Sequence, residues 1–177
     1  MKIGMILDSV YPDDARITNQ CDELIKKNHE IHLFCLSFNN VFIENEVINK
    51  INIHRYYCSK ITYKLSALAN DINLYNNILK NKIIDFIRKT KVDVLHVHDI
   101  QIAQAAISAS NIFNIKYNID LHENRPEIMK FYKHVNSFFG KIFISPARWK
   151  IAEEKFVKSA NKVICLLYTS PSPRDRG

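Results

Sequence analysis

Glycine is scarce in this chain: three occur in 177 residues, and none lies between Gly4 and Gly140. The G-x-G-x-x-G turn that presses backbone amides against a dinucleotide pyrophosphate is therefore missing after the first apolar run, which argues against a nicotinamide-binding protein. The four cysteines, Cys21, Cys35, Cys58 and Cys165, contain no C-x-x-C pair and no metal-ligand spacing. They read as small core hydrophobes in a reducing compartment, not as a disulfide framework. Long hydrophobic runs are absent too. The amino-terminal run, Ile3 to Leu7, is stopped by Asp8, too soon for a signal-peptide core or a membrane span, so a cytoplasmic protein is expected. No helix gathers Lys and Arg on one face beside stacking aromatics, so the formal charge of +7 reads as solvated surface and no nucleic-acid partner is expected. No internal repeat is evident.

What is present suits one domain with a real core, since 47% of the residues are hydrophobic. Lys2 to Leu7 reads as a buried strand, Arg16 to Lys27 as an amphipathic helix and Glu30 to Leu36 as a second strand. Val41 to Ile43 and Ile51 to Tyr57 read as further strands, the latter near an edge because Asn52, His54 and Arg55 interrupt it. Apolar residues at helical spacing run from Leu65 to Lys89. A strand at Val92 to Val97, a helix at Ile100 to Phe113 and a strand at Ile115 to Leu121 follow. Pro146 to Ala160 reads as a helix capped by Ser145, and Lys162 starts one more strand. The alternation predicts an α/β fold, a Rossmann-like parallel sheet with helices on both faces.

Residues 165–177 stand apart. Their run from Cys165 to Asp175 resembles translated sequencing adapter, so the native domain is taken as residues 1–164 and the reading frame as truncated.

Two strand ends carry the chemistry. Val94-Leu95-His96-Val97-His98-Asp99 and Ile119-Asp120-Leu121-His122-Glu123-Asn124 are apolar runs that break into imidazoles and carboxylates, as strands do where an open α/β sheet faces a ligand crevice. Such groups can hydrogen-bond sugar hydroxyls or move protons. His98 and Asp99 could bind an acceptor hydroxyl, with helix capping as the other reading of Asp99. Glu123 could orient His122 or cap the helix that begins near Pro126. His96 reads as structural. Arg16 could contact a phosphate or an acidic acceptor, or pair with Asp13 or Asp14 across its turn.

As an ordered set, the opening strand, the Tyr11-Pro12-Asp13-Asp14-Ala15-Arg16-Ile17 loop, His29-Glu30-Ile31, the HVHD strand end, DLHENRPE and Lys162-Val163-Ile164 resemble the amino-terminal domain of family-four retaining glycosyltransferases of the GT-B fold. The resemblance spans residues 1 to 164. It implies the acceptor-side half of an enzyme with two Rossmann-like domains, in which the missing half holds a nucleotide-sugar donor and a glycan or lipid-linked acceptor is glycosylated in cell-surface polysaccharide or glycolipid synthesis. It implies an inactive fragment, no cofactor and no metal. It implies that His122 leans toward a hydroxyl of the donor sugar, as the catalytic histidine. The loop departs from the paired glycines common in that family and follows instead a D-x-R-[IV] subgroup, here Asp14-Ala15-Arg16-Ile17.

Two other readings compete. H-x-H-D can be a metal motif, with His96, His98, Asp99, His122 and Glu123 as ligands of a hydrolytic centre. The alternation of faces along a strand and the lack of a separate cluster to complete the shell weigh against it. The aromatic and basic stretch from Phe131 to Lys150 supports a non-enzymatic module at a membrane surface, or peripheral contact of a transferase with the inner face of the membrane.

Overall fold

A computed structural model of the chain describes residues 1–70, 73–122, 124–132, 135 and 144–165. Its elements, in chain order, are β1 (Lys2–Ile6), α1 (Ala15–Lys26), β2 (Glu30–Ser37), β3 (Asn45–Ile48), β4 (Ile51–Tyr57), α2 (Lys60–Lys64), a 3-10 turn (Leu65–Leu68), α3 (Leu74–Thr90), β5 (Val94–His98), α4 (Ile100–Phe113), β6 (Lys116–Leu121), α5 (Arg125–Met129), α6 (Pro146–Ser159) and β7 (Lys162–Cys165). The strands form one sheet in the order β3-β4-β2-β1-β5-β6-β7. Every pairing is parallel except β3 with β4.

The sheet is covered on both faces, as the near-continuous apolar runs of its central strands require. On one face Ile3, Met5 and Leu7 pack with Ile31, Leu33 and Cys35 beneath Ile17 and Cys21 of α1. On the other, Ile6, Phe34, Leu95, Val97 and Ile119 meet Leu79, Ile83 and Phe86 of α3, the alanines of α4, and Trp149 and Phe156 of α6. Gly4 lies beneath Phe86 of α3: a Cβ there would meet Leu95, Val92 and Phe86 at 3.0–3.1 Å. Asp14 caps α1 and Ser145 caps α6, each accepting from the backbone amide of the residue two or three further on.

Several expectations move. Val41 to Ile43 is no strand; β3 lies at Asn45–Ile48, and the turn Asn49-Lys50, with φ of 50° and 67°, folds it back on β4 as a two-residue hairpin of the primed kind. The helix expected from Leu65 starts only at Leu74, because Ser59 caps the separate α2 and the chain turns through 65–68 first. Cys21, Cys35 and Cys58 are buried as expected, whereas Cys165 is exposed on the edge strand. Most of the stretch between Phe131 and Ile144 and all of 166–177 fall outside the described residues. Among those described, no helix is long and apolar enough to cross a membrane.

Candidate functional site

Parallel strands deliver their carboxyl ends to one side of a sheet, and here β5 and β6, with the loop leaving β1, do so together. Their register sets His96 beside Met5 and Asn118, and His98 beside Asp120. Alternation turns Leu95, Val97, Ile119 and Leu121 toward α3 and α4, and so turns His96, His98, Asp120 and His122 to the face that carries α1.

All four are buried: His98 is 0% exposed, Asp120 1%, His122 5% and His96 7%. Asp120 Oδ2 is the hub. Gln20, from α1, donates to it at 2.7 Å, while nitrogens of His96, His98 and His122 stand 3.7, 3.6 and 3.8 Å away. His98 Nδ1 and His122 Nε2 are hydrogen-bonded at 3.0 Å, the direction set by the tautomer, and their rings are stacked with planes 1° apart. Burial pushes the Asp120 carboxyl up, yet His96, Gln20, His122 and His98 around it outweigh that and hold it down at about 2. His98 is driven the other way for an imidazole: burial first, then the neighbouring His96, keeps its pKa well below the ordinary histidine range, so the ring is neutral.

Arg16 stands at the rim. It grips Asp14 through Nε at 3.1 Å and Nη2 at 2.8 Å while Asp14 also caps the helix, so the pairing across the turn is the arrangement adopted. That grip lowers Asp14 and raises Arg16. α1, whose first turn holds Arg16, reaches the strand ends through Gln20, which donates to Asp120.

Asp99 holds φ at 67°, a left-handed backbone at the junction of β5 and α4, and its side chain makes no capping bond. A non-glycine residue held there at a ligand-facing turn is the strained kind of position that functional sites collect. Asn124 caps α5 by accepting from the Glu127 amide. Glu123 lies outside the described residues.

The structure thus brings His98 and His122 together, sealing His98 fully while His122, one residue past the end of β6, keeps 5% of its surface exposed. It also adds what sequence reasoning passed over. Asp120 and Gln20 were not singled out, and His96, read as structural, belongs to the cluster. Two-residue periodicity was the available signal, because 96, 98, 120 and 122 are all of one parity on adjacent parallel strands. The same periodicity removes the objection to convergence: His96 and His98 share a face.

No family model matches the chain, and no curated protein does. Solved structures do. A sucrose-phosphate synthase from Thermosynechococcus elongatus superimposes with a TM-score of 0.66 at 11% identity, over 92% of this chain and 41% of that one. A structure described as trehalose-6-phosphate from E. coli bound with UDP-2-fluoro glucose gives 0.52 at 8% identity, over 92% and 39%. A trehalose-6-phosphate synthase structure concerned with glycosyltransfer with retention gives 0.54 at 10%, over 92% and 39%. The chain therefore spans about two fifths of the length of these GT-B proteins. At such identities the likeness is one of fold, and the fold is a Rossmann-like half of GT-B architecture.

Proposed function

We propose that the chain is the acceptor-side half of a glycosyltransferase that moves a sugar from a nucleotide-sugar donor to an acceptor hydroxyl with retention at the anomeric carbon. The observation that carries this reading is the His98–His122 pair, backed by Asp120, at the strand ends of a fold shared with sugar-transferring synthases. A second Rossmann-like domain would hold the donor diphosphate and close against this edge. His122 is the group that meets the sugar: a neutral imidazole can accept or donate to a hydroxyl, and its stacking on His98 fixes its plane. His98, fully buried, acts through His122 rather than on substrate. Asp99 and Arg16 stand where an acceptor enters, and Glu123 follows His122 directly in sequence.

Charge develops on the departing diphosphate and on an oxocarbenium-like sugar, and fixed dipoles aimed at that charge supply the rate enhancement without a protein nucleophile. The acceptor class is a glycan or a lipid-linked glycan of the cell surface, reached from the cytoplasmic side of the membrane.

The test is to recover the gene beyond Ile164, express the continuous protein and follow release of nucleoside diphosphate from a panel of nucleotide sugars. Turnover is expected in the long protein and not in the 177-residue chain. His122→Ala in the long protein lowers turnover by about 100-fold, the scale on which loss of a positioned polar group is felt. Unchanged turnover in that variant removes His122 from the role. A downstream sequence with no second α/β domain removes the reading as a whole.

A further inference from the structure

His98 Nε2 is sealed from solvent and finds no hydrogen-bond partner among the described residues. That orphan tells where the proton of the ring sits. Burial and the neighbouring His96 keep His98 neutral, so it carries a single proton on one of its two nitrogens. A proton on Nε2 would be a buried N–H with no acceptor, the rarest kind of orphan in a folded protein, whereas a proton on Nδ1 leaves only a bare lone pair at Nε2. The ionised Asp120 carboxylate, with Oδ2 3.6 Å from His98 Nδ1, favours a proton on Nδ1 as well.

The consequence passes to the next ring. His98 Nδ1 lies 3.0 Å from His122 Nε2. A protonated Nδ1 makes His98 the donor and His122 Nε2 the acceptor, which leaves the proton of His122 on Nδ1, the ring nitrogen still available to a ligand. We propose that His98 is a positioning residue that fixes His122 as the Nδ1–H tautomer, so that His122 meets the donor sugar as a hydrogen-bond donor. The identity of that ligand rests on the transferase reading; the ring protons do not. This polarity selects substrates. A hydroxyl oxygen or a carboxylate accepts the N–H, whereas an ammonium group offers only donors and is rejected at that position. The nitrogen that faces the sugar also has no lone pair with which to act as a base.

The measurement is NMR correlation of histidine ring nitrogens with their carbon-bound protons in the unaltered 177-residue chain at neutral pH, which reads the protonated nitrogen of each ring and needs no variant. His98 and His122 are both expected with the proton on Nδ1 and a bare Nε2. In the long protein, His98→Leu removes the donor, His122 passes to the Nε2–H form, and kcat falls by up to about 100-fold, the scale of a misplaced reacting group, with the acceptor's KM unchanged. His98→Asn sets an amide N–H where Nδ1 stood and restores most of that turnover together with the Nδ1–H form of His122; a packing role alone would be filled at least as well by leucine. The sugar position at which deoxygenation slows the unaltered enzyme but not His122→Ala is the one His122 reads, and an amino group there is expected to be transferred no faster than the deoxy sugar. A proton on Nε2 of His122, a doubly protonated His98, a His98→Asn enzyme no better than His98→Leu, or an amino sugar transferred as fast as the hydroxyl sugar overturns the inference. A long protein with both protons on Nδ1 and no transfer activity sinks the transferase reading instead.

Discussion

A single residue often does two jobs here, and Asp14 is the plainest case. It caps α1 and also receives both arms of Arg16. Losing the cap costs more than losing an exposed ion pair, so Asp14→Ala is expected to lower stability by about 1 kcal/mol and Arg16→Ala by less, within the roughly 0–1 kcal/mol of surface pairs. Urea unfolding of the two variants ranks them. His54 carries a different signal. Burial, then His32 and Lys89, bring its pKa from the ordinary 6.5 to about 4. The unfolded chain therefore binds the proton first, so this residue's contribution is whole above pH 6.5 and is lost as the pH falls toward 4. Unfolding free energy measured across that window falls with acid, and His54→Gln flattens the slope. The histidines of the site were legible because apolar runs end on them; Asp120 was not, since Ile119 and Leu121 on either side make it look like strand interior.

Elements reveal where scarce glycine has a cost. Left-handed backbone falls to Asn28, Asn49, Lys50, Lys91, Asp99 and Asn114. Asparagine tolerates that region, but lysine gains nothing from it. Lys50→Gly, completing an Asn-Gly turn between β3 and β4, is expected to raise stability by about 0.5–1 kcal/mol, read as a higher denaturation midpoint at unchanged m-value. Gly4 is the opposite case. A methyl group there meets side chains from Leu95, Val92 and Phe86 at once, and Gly4→Ala should cost about 1–3 kcal/mol in the same measurement through overpacking under α3. Central strands and the cap at Ser145 could be read from the sequence because burial and capping are local rules; Asp14, read only as a partner of Arg16, also caps α1. The break between α2 and α3 could not, since Leu65 and Leu68 continue the helical spacing and only tertiary packing decides where the long helix begins.

At the scale of the whole molecule, the two sides of the sheet end differently. β3 closes one edge as an antiparallel hairpin strand, while β7 forms the other, where no further strand pairs with it among the described residues and Val163 and Ile164 are 40% and 46% exposed. An open edge with apolar side chains invites pairing between copies. Sedimentation of the 177-residue chain should show concentration-dependent self-association that Ile164→Lys suppresses. The parallel α/β class was legible from strand and helix alternation, but the order of strands was not, because register across crossovers depends on contacts between distant segments.

That order has a consequence for synthesis. β1 precedes both of its neighbours, β2 and β5, in the chain, and Ile3 pairs with both Ile31 and Val94. At translation rates of about 5–20 residues per second, one flank of the nascent strand waits several seconds for its second neighbour. During that interval β2 and α1, and later α3, can shelter it, which makes the parallel β1-α1-β2 unit the stretch whose early folding decides whether the remaining chain has a template to join.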